Sequence, residues 1–202
     1  MSRKLGGAVG MLGVLLLSAQ AGANEVVMQF RTQEDPASPA DPAVCAAAPF
    51  EVNVKLGGSV YVPEHNPKDG KVVDGGGRRV GSATACVQVT DNAFPAGQQL
   101  NVYMRYNLPE GGFTARGTCT LVSNDVPAAG LVLAGCAMRL VDVPKGFVGG
   151  SVSSTSVFNP RKLPGYATGS YYTLYAYRDG RQRDASKVKE AQEAAAAAKA
   201  RE

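Results

Sequence analysis

The chain has no tryptophan and a single histidine, His65, among 202 residues. Its four cysteines are Cys45, Cys86, Cys119 and Cys136, and no two lie close in sequence. Protein metal sites need clustered Cys, His or carboxylate ligands, so no metal and no other cofactor is expected. His65 sits in the loop Pro63-Glu64-His65-Asn66-Pro67. A lone loop histidine makes no Ser–His–Asp arrangement, and oxidised cysteines make no Cys–His pair, so hydrolytic chemistry is excluded. Past the N-terminus, no segment approaches the run of about 20 apolar residues that spans a bilayer. Charge of either sign is modest, with 21 basic and 17 acidic residues and a net +4. No basic stripe runs through the central region, which argues against a nucleic-acid partner. Asp74-Gly75-Gly76-Gly77 precedes a strand, whereas a phosphate loop leads into a helix.

The N-terminus carries the most definite signal. Ser2-Arg3-Lys4 is a basic start, Leu5 to Ser18 is apolar and glycine-rich, and Ala21-Gly22-Ala23 supplies small residues. These are the three parts of a secretory signal peptide, expected over residues 1–23. A secreted or periplasmic location follows, with a mature chain that does not span the membrane. An even number of cysteines in an exported chain implies two disulfides. Cys119 and Cys136 flank one candidate hairpin, and folding it about Pro127-Ala128 places them opposite each other. Cys45–Cys86 follows by elimination.

Residues 24–49 read as a Pro/Ala-rich linker, with Val26 to Arg31 a short edge strand ahead of its prolines. Residues 50–180 read as one β-domain, because alternating segments are separated by Gly, Pro and Asn/Asp turns. The expected strands are Phe50–Lys55, Ser59–Val62, Val80–Thr90, Leu100–Asn107, Phe113–Ser123, Gly130–Val141, Val148–Phe158 and Ser170–Arg178. No helical period competes there. A sandwich and a closed barrel both fit this spacing. Glycines in or beside strands, at Gly81, Gly117, Gly135 and Gly150, favour the barrel, where they serve as corners. The expected fold is all-β, a single eight-stranded antiparallel β-barrel. Residues 181–202 read as a charged, Ala-rich helical tail; Ala194 to Ala198 favours helix, but the segment has no apolar stripe.

Several of these segments resemble the allene oxide cyclase and dirigent-like β-barrel superfamily. They are Arg79-Val80-Gly81-Ser82-Ala83-Thr84-Ala85-Cys86, then Leu100 to Tyr106 with Gly111 to Gly117, then Phe147-Val148-Gly149-Gly150-Ser151-Val152, and finally Tyr171-Tyr172-Thr173-Leu174-Tyr175. The resemblance covers residues 50–178 and lies in the order and spacing of the segments. Ala85 stands where the family has glycine, and only Gly149-Gly150 matches its glycine-rich segment. The resemblance implies an eight-stranded barrel that binds an apolar or phenolic molecule in its lumen. It also implies a possible homo-oligomer and, if the protein is an enzyme, a cofactor-independent cyclase or isomerase.

Plant cyclases of this type carry a Glu-x-Asn pair, in which the Glu stabilises positive charge developing on the substrate. Glu51-Val52-Asn53 resembles that pair and is the candidate catalytic site. Tyr103 and Arg105 share the polar face of the Leu100 strand and are candidates to line the lumen, with Arg gripping a carboxylate. Arg139, between Met138 and Leu140, is a candidate anion anchor or a partner for Asp142 or Glu51. Tyr171 and Tyr175 belong to a tyrosine cluster that suits either packing or ligand contact. Three readings stay open at this level. They are a binding module for a hydrophobic small molecule, a cyclase or isomerase, and a structural domain whose lumen is filled by side chains.

Overall fold

The computed structural model describes residues 25–70, 72–126, 131–159, 162–164 and 168–180. The expected signal peptide and the Ala-rich tail lie outside them, as does the Pro127-Ala128 turn. Eight strands follow one another in chain order: β1 (Glu25–Glu34), β2 (Val54–His65), β3 (Val72–Gln88), β4 (Gln99–Leu108), β5 (Gly111–Val126), β6 (Leu131–Asp142), β7 (Phe147–Phe158) and β8 (Gly169–Arg178). One short helix, α1 (Pro42–Ala46), lies between β1 and β2. Each strand pairs antiparallel with the next, and β1 pairs with β8, so the sheet closes into a barrel. Closure removes the unpaired edges that an open sheet would present.

The closing strand corrects the expected boundary. Val26 to Arg31 is no stray edge; β1 runs in register with β8 from Glu25 opposite Tyr177 to Gln33 opposite Gly169. The alternation of Met28, Phe30 and Thr32 with Val27, Gln29 and Arg31 is a strand pattern. It was masked by the proline-rich stretch that begins at Pro36. Conversely, the two expected strands Phe50–Lys55 and Ser59–Val62 are one element, β2, which begins at Val54. Gly57-Gly58, which reads as a turn, lies within it.

The remaining linker, residues 35–49, is strapped across the outside of β2 and β3. A side chain at Gly57 would collide with the Pro39–Ala40 backbone, so glycine is required there. Asp35 accepts from the Ser59 hydroxyl and from the Ala37 amide, which lowers its carboxyl below the ordinary value. Arg79 donates to Ser38 at 2.7 Å, and the Asp41 amide donates to Thr84 Oγ1 at 3.0 Å. Asp41 caps α1 by accepting from the Ala43 amide. Cys45 on α1 is then bonded to Cys86, on the outer face of β3. The second disulfide joins Cys119 and Cys136, which face each other across β5 and β6. Both pairings are those expected from the sequence.

Candidate functional site

Burial decides which face of each strand points inward. On β4, Leu100, Val102, Met104 and Tyr106 are all buried, while Asn101 and Asn107 are exposed. The apolar face therefore lines the lumen, and Tyr103 and Arg105 point outward. Arg105 lies against Thr114 Oγ1 at 3.1 Å and forms an ion pair with Asp142 at 3.4 Å. The same logic puts Arg139 outside, because Met138 is buried on its strand and Arg139 is exposed. Leu174 and Tyr172 are buried on β8, so Tyr171 and Tyr175 also lie on the outer face, with Tyr171 half exposed. None of these five residues lines the lumen. The register does bring three of them together: Tyr103, Arg116, Arg139, Ser151 and Tyr175 form one row around the outside of five strands.

Glu51 and Asn53 precede β2 and do not share a strand face. Glu51 is exposed. Asn53 brackets the end of β3: its side chain accepts from the Val89 amide at 2.8 Å and donates to the Val89 carbonyl at 2.7 Å. Asn53 thereby ties the segment before β2 to the end of β3.

The lumen has two unlike halves. In one, apolar side chains of the core pack together, and Phe113 and Phe147 meet edge to face at 5.3 Å. Across the middle lies an aromatic layer, Phe30, Tyr106 and Tyr172, with ring centroids 5.2–5.3 Å apart. Above this layer the inward residues become small. Gly58, Ala83 and Ala85 bring little volume from β2 and β3, and a chamber of about 50 Å³ remains. A single water needs roughly 10–15 Å³ of such space, so the chamber holds several waters or a small guest.

One wall of the chamber is aliphatic: Leu56, Ala85, Val87 and Val102. Facing it are hydroxyls from the other side of the barrel, Thr32, Ser156 and Ser170. Ser170 donates to Ser156 Oγ at 2.7 Å, and Ser154 lies 3.2 Å from the same oxygen. The Cys119–Cys136 disulfide forms part of the lining, with Ser156 Oγ 3.6 Å from Cys136 Sγ. Met104 and Tyr172 form the floor. Glu34, exposed, stands at the mouth beside Gly169.

Burial raises the Tyr106 hydroxyl well above the ordinary phenol value, and burial raises Tyr172 as well. Both phenols are therefore neutral hydrogen-bond donors at neutral pH. The sign of the linkage gives a test. The folded values lie above the unfolded value near 10.0, so this contribution to stability is intact below pH 10 and is lost as pH rises above it. Thermal midpoints measured from pH 8 to 11 are expected to drop above pH 10. The Tyr106→Phe/Tyr172→Phe variant is expected to show a flatter profile, because the other tyrosines among the described residues are less buried.

The chamber residues were not among the sequence-based candidates. Their signal was present in the alternation of Leu100, Val102, Met104 and Tyr106, but alternation marks a buried face without saying that the face encloses space. No family model, curated protein or solved structure matches the chain.

Proposed function

We propose that this protein is an exported small-molecule binder that shelters a small, mainly apolar guest in the wider half of its barrel. The observation that carries the reading is the chamber above the aromatic layer, walled by Ala85, Val87 and Val102 and faced by hydroxyls. Ligand sites are typically apolar concavities with a few placed polar groups, and this chamber has that character on a small scale. The resemblance to barrels that hold apolar substrates in the lumen points the same way. The two disulfides support an oxidising compartment, as export would require. The catalytic alternative needs a carboxylate inside the barrel. Glu51 lies in the segment before β2, and Glu34, the carboxylate that lines the chamber, is exposed at its mouth rather than enclosed, so a carrier is the better-supported role.

Filling the chamber tests the reading. Ala85→Leu adds three carbons to the wall of existing space. It is expected to leave the thermal midpoint within a few degrees of the parent. Binding of small apolar guests, read by chemical-shift titration, is expected to fall at least about tenfold, since the guest loses its volume. Unchanged binding in a folded Ala85→Leu variant would show that guests bind elsewhere.

A further inference from the structure

Two phenols in the lumen end on one sulfur. Tyr106 donates its O–H to Met104 Sδ at 3.3 Å, and Tyr172 donates to the same atom at 3.4 Å. Both tyrosines are fully or nearly fully buried. The two phenols also lie within hydrogen-bonding reach of each other, which still leaves at least one phenol proton to the sulfur. A thioether is a weak acceptor, so that donor is poorly matched in a dry interior, where hydrogen bonding matters most. Met104 lines the chamber and is held by no covalent constraint. Methionine is also the most adaptable of core side chains. An oxygen entering the chamber can therefore displace the sulfur and take both donors.

We propose that the guest of this chamber carries a carbonyl oxygen, which replaces Met104 Sδ as the shared acceptor for Tyr106 and Tyr172. The inference rests on the reading that the chamber holds a guest, and it names the chemical class of that guest. Charge selects a neutral oxygen over a carboxylate. Among the described residues no Lys or Arg lines the chamber, and Glu34 at its mouth repels anions. An unpaired buried carboxylate would be strongly disfavoured. A guest hydroxyl is a poorer match, because it brings a donor of its own to a pole already rich in donors. The Ser170 hydroxyl contacts Ser156, and Ser170, Ser154 and Thr32 also lie within hydrogen-bonding reach of the Tyr172 oxygen as donors, which adds to the donors at this pole. The remaining surface of the guest meets Ala83, Ala85, Val87 and Val102 and should be hydrocarbon.

The test compares three probes of similar size on the full barrel: cyclopentanone, methylenecyclopentane and isobutyrate. Binding is read from the shifts of lumen methyl signals. The ketone is expected to bind about tenfold more tightly than the isosteric alkene, the worth of one net hydrogen bond. Its infrared carbonyl band is expected to move to lower frequency on binding. Tyr172→Phe is expected to remove most of the preference. Met104→Leu removes the competing acceptor and is expected to strengthen ketone binding, which keeps the test alive if the tyrosine variant fails to fold. Equal affinity for ketone and alkene, with an unshifted carbonyl band, would overturn the carbonyl assignment and leave the chamber reading standing. Tightest binding of isobutyrate would overturn it as well. Failure of all three probes to bind would overturn both.

Discussion

A chain that begins at Asp35, lacking β1, is expected to show no cooperative thermal transition. β1 closes the barrel by pairing with β8 along its length and with β2 at its C-terminal end. Without it, the edges of β2 and β8 are left unpaired, and such edges aggregate. It also supplies Phe30, which is 3% exposed and packs against both Tyr106 and Tyr172. The point variant Phe30→Ala is expected to lower unfolding free energy by about 3–5 kcal/mol, the usual cost of truncating a buried aromatic. Val27→Ala on the same strand serves as the control, because Val27 is 51% exposed and should change stability by under about 0.5 kcal/mol. Urea titration measures both. If residues 25–34 were a linker, the shortened chain and Phe30→Ala would both keep the parent midpoint.

Removing the Cys45–Cys86 disulfide is expected to cost about 4 kcal/mol. The bridge closes a loop with a separation of 41 residues, and loop entropy at that length gives roughly this figure. Cys119–Cys136 has a separation of 17 and is expected to contribute about 3 kcal/mol. The variants are Cys45→Ala/Cys86→Ala and Cys119→Ala/Cys136→Ala, which leave no unpaired thiol. They should differ beyond stability. The first frees the strap over β2 and β3 from its covalent tie, leaving polar contacts through Asp35, Ser38 and Asp41 and the close packing on Gly57 to hold it. Amide exchange in residues 35–49 should quicken there and not in the second variant. The second variant removes part of the chamber wall and should accept larger guests. A loss under about 1 kcal/mol in the first variant would mean that the strap is held by its polar contacts and packing alone.

Much of the architecture was legible as alternation. The Leu100 to Asn107 segment reads as a strand at sight, and the hairpin that places Cys119 opposite Cys136 follows from its turn. Two elements were obscured by composition. β1 is followed at once by prolines, and its own alternation is easily absorbed into a linker. β2 contains Gly57-Gly58, which looks like a turn but is a close-contact site: Gly57 under the strap and Gly58 against the Gln33 backbone of β1. Strand glycine was a sounder signal elsewhere. Gly81 and Gly117 each abut a neighbouring strand's backbone too closely for a side chain, whereas Gly135 meets nothing.

The site was far less legible, for a physical reason. A period of two says that one face of a strand is buried, yet a polar face and an apolar face are equally possible linings for a lumen until closure is known. Tyr103, Arg105, Arg139 and Tyr175 are conspicuous in sequence because they are polar among aliphatics, and in a small barrel that is what places them outside. The chamber depends instead on small residues meeting from strands distant in sequence. Gly58 on β2 and Ala83 on β3 are direct partners, and Ala83 in turn faces Tyr106 on β4. The convergence of Tyr106 and Tyr172 on Met104 joins positions 68 residues apart. Nothing local announces such a meeting.

Xenon offers the most direct measurement, since it enters small apolar cavities without needing a specific contact. Crystals pressurised with xenon are expected to show a single strong site inside the barrel, among Ala85, Val102 and the Cys119–Cys136 bridge. A lumen that stays empty of xenon, or fills only with ordered water while xenon binds elsewhere, would contradict the account.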